Sequence, residues 1–120
     1  MELSKFQELS KRTMPVPKTG TLEEFLLLVC NYAMGLGGES GEVQDELKKW
    51  VHHKHQLDEK KIMKELGDVL HYLCGVATLI HIDMDEVAQM NLDKLSERYP
   101  NGFTPEDSIK RKDVKNENRN

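Results

Sequence analysis

Residues 31–50, NYAMGLGGESGEVQDELKKW, and residues 64–73, KELGDVLHYL, decide how this chain is read. Each holds an acid-x-x-acid pair: Glu39 with Glu42, and Glu65 with Asp68. On a helix of 3.6 residues per turn, side chains three apart stand only about 60° apart around the axis, so each pair points to one side. Glu46 falls on the same stripe as Glu39 and Glu42. Leu36, Val43, Leu47 and Trp50 flank the first pair, and Val69, Tyr72 and Val76 flank the second. The acids therefore border apolar faces instead of standing opposite them. Two such helices packed by those faces bring four carboxylates together. Four anions at close range repel one another, and divalent cations between them relieve the repulsion. An all-oxygen donor set of this kind suits magnesium, with manganese as a substitute.

Working outward, Thr21 with Glu24 has capping-box spacing and opens a helix that continues through the apolar run Phe25–Cys30. Gly35, Gly37 and Gly38 weaken that helix by roughly 1 kcal/mol each relative to alanine, which predicts a kink or a close approach by another backbone. Helical character resumes at Glu39 and runs to about His53. Asp58 is a plausible N-cap for a helix to about Ile80, in which Leu66, Val69, Leu70, Leu73, Val76, Ala77 and Ile80 repeat at helical spacing. A further helix is expected from Met84 to about Arg98, ended by Pro100, Asn101 and Gly102. Residues 3–12 form a weaker helical pattern stopped by Pro15 and Pro17, and Thr104-Pro105 can start a short helix. No stretch alternates with period two. The expectation is an all-α chain, a helical bundle of about four main helices, with one domain over 1–109 and its core at 21–103. From Lys110 onward, KRKDVKNENRN is polar and charged, which predicts a disordered tail whose removal after Ile109 leaves folding intact.

A formal net charge of −4 argues against a protein that grips nucleic-acid backbones, so no nucleic-acid partner is expected. No apolar run approaches the roughly 18 residues of a membrane span, and the N-terminus has no signal-peptide core. A soluble, cytoplasmic protein without a membrane partner is expected. Cys30 and Cys74 sit in apolar runs and read as reduced, buried thiols.

Other chemistries compete. A single acidic pair on a helix is ordinarily a solvated surface, so a non-catalytic helical interaction module is one alternative. A di-iron or manganese carboxylate bundle is another. Asp68 and His71 stand at i, i+3, but such bundles need Glu-x-x-His on two helices, and here there is one approximate copy. His52, His53 and His55 read as surface residues of a turn. Lys94 and Arg98 stand at i, i+4 and can both reach one polyanion, although Asp93 and Glu97 are ordinary partners for them.

Together with residues 91–103, NLDKLSERYPNGF, the two acidic stretches resemble the MazG-like all-α nucleotide pyrophosphohydrolases. The resemblance implies magnesium-dependent hydrolysis of a nucleoside triphosphate to monophosphate and pyrophosphate. It also implies metal activation of the water that attacks the α-phosphorus. It makes Glu39, Glu42, Glu65 and Asp68 metal ligands. It places Asn91, Lys94, Arg98 and Tyr99 on the triphosphate and Asn31 at the base or sugar end. Lys49 takes a supporting phosphate role, and Tyr72 is a candidate for stacking on a base. Glu42, with Glu46 one turn away, is the candidate general base. A homodimer or homotetramer is expected, since that family assembles in these ways.

Overall fold

The computed structural model describes residues 1–117. Its α-helices are α1 (Leu3–Ser10), α2 (Leu22–His52), α3 (Glu59–Leu79), α4 (Met84–Arg98), α5 (Pro105–Lys110) and α6 (Lys112–Glu117), with a 3-10 turn at Lys11–Thr13. The described residues contain no strand, so the chain is all-α. It divides into two compact units, Met1–Asp83 and Met84–Asn120.

In the first unit the long helices begin where capping chemistry directs. The Thr21 hydroxyl accepts from the Glu24 N–H at 3.3 Å, and the Asp58 carboxylate accepts from the Lys61 N–H at 3.0 Å. Glu24 does not complete a reciprocal box with Thr21. Its carboxylate instead accepts from the backbone N–H groups of Lys18 and Thr19 and from the Thr19 hydroxyl. That ties the preceding loop to the first turn of α2.

Gly35, Gly37 and Gly38 do not interrupt the helix, and α2 runs unbroken for 31 residues. Packing against α3 supplies the reason. The Tyr72 ring of α3 lies on Gly35, and the Tyr32 ring of α2 lies on Gly75. A Cβ at either glycine would fall inside the facing ring. The approaching group is thus an aromatic side chain from the neighbouring helix, and no second backbone is involved. The two rings meet edge-to-face with centroids 5.4 Å apart, a geometry worth about 0.5–1.5 kcal/mol beyond burial. Tyr32, Cys74, Gly75, Ala77 and Leu79 are buried around this contact. Cys74 matches the expectation of a buried thiol, whereas Cys30 is exposed, its Sγ 3.6 Å from Met34 Sδ. Helix α1 docks on α3 through buried Gln7, whose amide donates to Thr78 Oγ1 at 3.2 Å and to the Ile82 carbonyl at 2.8 Å.

In the second unit the structure differs from the sequence expectation. Residues 112–117 form α6 where a disordered tail is expected, and residues 118–120 lie outside the described residues. Arg111, at φ 51°, makes the left-handed bend between α5 and α6. Asp113 is buried and accepts from Arg98 Nε and Nη2, both at 2.8 Å, in a fork-to-fork pair. The polar composition of the tail conceals this contact, because the one acid that matters is silent until Arg98 is placed opposite it.

Two predictions follow from this packing. Gly35→Ala and Gly75→Ala should each destabilise by about 1–3 kcal/mol through overpacking. Gly37→Ala, with nothing within 4 Å of its Cβ position, should instead gain about 0.5–1 kcal/mol from lower backbone entropy in the unfolded chain. Equal losses at all three positions in thermal melts would contradict the interlock. The Arg98 guanidinium holds the Asp113 carboxyl well below the usual carboxylate range. A folded-state pKa below the unfolded one stabilises the native state above about pH 4, and that contribution is lost as pH falls further. Asp113→Asn and truncation after Ile109 should therefore both lower Tm at neutral pH, and the difference from wild type should shrink in acid.

Candidate metal centre

The Tyr–Gly interlock sets the register of α2 against α3. Tyr32 meets Gly75 and Gly35 meets Tyr72, so the two helices run antiparallel. Continuing in the same sense, Glu39 comes opposite Glu65 and Asp68, and Glu46 comes opposite Lys61. Glu39, Glu65 and Asp68 each offer a carboxylate oxygen, and these oxygens all lie within 4.8 Å of one another. Glu39 and Glu65 are half-buried, and Asp68 is exposed. Partial burial, followed by the charges of Asp68, Glu65 and Glu42, pushes the Glu39 carboxyl above its ordinary value. The donors are all hard anionic oxygens from two packed helices. This set fits a divalent cation such as magnesium or manganese, which would offset the repulsion among the three carboxylates.

Three of the four sequence-predicted ligands are thus brought together. Glu42 is exposed and stands outside the triad, although its charge is felt at Glu39. Glu46 is held by Lys61 at 2.8 Å and by Lys49 at 3.7 Å, and the Lys61 hydrogen bond lowers its carboxyl below the ordinary value. Lys49 also pairs with Asp45 at 2.9 Å, so its ammonium serves this network on α2 and α3. Lys61 is the residue that sequence reading missed here, since its partner is visible only once the helix register is known.

The Tyr72 ring is occupied by Gly35, Tyr32 and His71, the last with centroids 5.2 Å away. His71 therefore lies among aromatic rings, and the carboxylate triad contains no histidine. Nothing here favours the di-iron alternative. Asn31 is exposed on α2, two turns before Glu39. In the second unit, Asn91 and Lys94 are exposed on α4. Arg98 is paired with Asp113, and its Cζ lies 5.9 Å from the Tyr99 ring centroid. Tyr99 packs against Phe103 with centroids 5.3 Å apart.

Two antiparallel helices of an all-helical chain thus bring together three carboxylates that could hold a metal ion. The MazG nucleotide pyrophosphohydrolase domain family matches residues 30–103, and the chain belongs to that family. The "Gene 37 protein" of Mycobacterium phage L5 is 36% identical over 73 residues, a region covering 58% of this chain and 64% of that relative. The chain thus spans less than two thirds of that relative's length. No solved structure matches the chain. Among the described residues, no helix is long and apolar enough to cross a membrane.

The triad makes a measurable claim about the metal-free protein. Raised above its unfolded value, the Glu39 carboxyl contributes stability at low pH that is lost as pH rises through its folded-state pKa. Glu39→Gln should therefore melt higher than wild type at neutral pH without metal. Magnesium should raise the Tm of wild type but much less that of Glu39→Gln, Glu65→Gln or Asp68→Asn. An undiminished magnesium response in all three variants would remove the site.

Proposed function

We propose that this protein is a magnesium-dependent nucleoside triphosphate pyrophosphohydrolase, converting a (d)NTP and water to the (d)NMP and pyrophosphate. The observation that carries this reading is the convergence of Glu39, Glu65 and Asp68 on two helices inside the family-matched segment. These three would hold magnesium, or manganese in its place. When bound, such a cation neutralises phosphate charge and lowers the pKa of water.

The chain's own groups then divide the work. Glu42, exposed beside the triad, takes the proton of the water that attacks the α-phosphorus. Glu46, the other candidate base, is less suited because two lysines lower its affinity for a proton. Asn91, Lys94, Arg98 and Tyr99 are the triphosphate-facing groups in this reading. Lys94 supplies a mobile positive charge, and Arg98 has two of its guanidinium nitrogens already committed to Asp113.

A homodimer or homotetramer completes the proposal. Leu26, Leu27, Met34, Met63 and Leu66 stand more than half exposed on α2 and α3. Apolar surface of this extent on helices that already pack together suits a second copy of the chain.

Hydrolysis in ¹⁸O-labelled water tests the bond cleaved. The label should appear in the nucleoside monophosphate and not in pyrophosphate. An α,β-imido triphosphate should bind and inhibit, whereas a β,γ-imido analogue should be cleaved. Diphosphate and inorganic phosphate as first products would mean attack at the γ-phosphorus and would overturn the proposal. Glu42→Gln should lower kcat by about 10²–10⁴-fold, the usual contribution of a general base, with little change in magnesium-dependent Tm.

A further inference from the structure

Arg98 is the last residue of α4, where a long side chain has no following turn to steady it. Asp113 supplies the support. Its carboxylate takes one N–H from Arg98 Nε and one from Nη2, both at 2.8 Å. These two bonds use the side of the guanidinium. Its end, formed by Nη1 and the second hydrogen of Nη2, is turned away from Asp113 and makes a second fork. The Tyr99 hydroxyl stands near the same guanidinium, whose Cζ lies 5.9 Å from the Tyr99 ring centroid. Arg111 Nε lies 3.7 Å from Asp113 Oδ1, and the backbone N–H of Asp113 also serves its own carboxylate.

The carboxylate is itself held in place. Thr104 Oγ1 accepts from the Asp107 N–H at 3.0 Å and starts α5. The Arg111 N–H closes α5 on the Asp107 carbonyl at 3.1 Å, and Arg111 turns the chain at φ 51°. The N–H groups of Val114 and Lys115 then donate to the Arg111 carbonyl at 3.1 and 3.2 Å. A left-handed turn at a residue with a side chain is costly and persists where its surroundings fix it. Here it delivers an Asp113 side chain only 2% exposed to an Arg98 side chain 17% exposed. The support is buried, and the group it supports keeps an open end.

We infer that Asp113 is a positioning residue, which grips the Arg98 guanidinium by its side and keeps the end-on fork free for the outer phosphates of a triphosphate. A guanidinium fork matches two oxygens of one phosphate, and this fork shares no N–H with the one that Asp113 occupies. Carboxylate and phosphate therefore do not compete. Lys94, exposed one turn earlier on α4, can reach the same polyanion. A free arginine loses rotamer freedom when it binds an anion, whereas Arg98 has lost it on folding. The inference rests on the pyrophosphohydrolase reading for its substrate, and it adds a residue outside the family-matched segment.

Steady-state kinetics of pyrophosphate release, paired with NMR of the full chain, tests it. Asp113→Asn should raise KM for a nucleoside triphosphate about tenfold and leave kcat within about twofold, as when binding is lost equally from ground and transition states. A role in folding alone would shrink the active fraction, which lowers apparent kcat and leaves KM unchanged. In the double variant Arg98→Ala/Asp113→Asn, KM should equal that of Arg98→Ala. On wild type, where no variant has to fold, inorganic tripolyphosphate should shift the Arg98 Nη signals while the Nε–H signal stays in place. Cleavage by wild type with an unchanged KM in Asp113→Asn would overturn the positioning role and leave the proposed function standing. No triphosphate cleavage by wild type, with the tripolyphosphate shifts as described, would support Asp113 as the support of a polyanion site and overturn the proposed function. Loss of the Nε–H signal on adding tripolyphosphate would mean that the anion displaces Asp113, and unmoved Nη signals would mean that Arg98 meets no phosphate. Either result would overturn the inference.

Discussion

The exchange of two tyrosine rings for two absent side chains governs the first unit. Tyr32 fills the space over Gly75, and Tyr72 fills the space over Gly35. An apolar face of leucines and valines can slide against another by a turn at modest cost. The Tyr32 ring seated on Gly75 cannot, because the α3 positions one turn away, His71, Tyr72, Thr78 and Leu79, all carry a Cβ. The interlock therefore selects one register from several that the hydrophobic pattern permits. The carboxylate triad and the Glu46–Lys61 pair lie further along the same two helices and inherit that register.

What it imposes is electrostatically mixed. Opposite Glu39 it brings Glu65 and Asp68, and partial burial followed by these like charges raises the Glu39 carboxyl and opposes folding. About two turns further along it brings Lys61 to Glu46, a favourable contact across the same two helices. Glu46 is only 12% exposed in its side chain, so this pair is better shielded than an ordinary surface bridge. The favourable contact lies close to the unfavourable one and helps hold the carboxylates together. A site that strains its own scaffold in this way is expected where a cation supplies the missing term.

Much of this was legible in the residues. The helix starts at Thr21, Asp58 and Thr104 follow from capping chemistry, and the acid-x-x-acid spacing placed Glu39, Glu65 and Asp68 on facing stripes. The family resemblance, carried by the same stretches, matches the domain found over residues 30–103. The rest needed three dimensions. The glycines read as a kink because propensity is local, while the compensating tyrosine ring comes from 37 positions away in the case of Gly35 and Tyr72. Lys49 takes its supporting phosphate role from the family resemblance alone, and its pairing with Asp45 and Glu46 on its own helix was visible only in the structure. The tail read as disorder because composition averages over residues, and Asp113 acts as an individual.

The pairing of Arg98 with Asp113 separates two meanings of a domain boundary. By similarity, the segment shared with the family closes at residue 103. By electrostatics it closes ten residues later, where a buried carboxylate neutralises the guanidinium of α4. The two residues act as one electrostatic unit. A lineage that loses the acid leaves a cation to be desolvated alone, and a lineage that loses the arginine strands the acid. Stepwise change at either position alone is therefore disfavoured, and relatives with a different ending to the chain are expected to differ at the position of Arg98 as well.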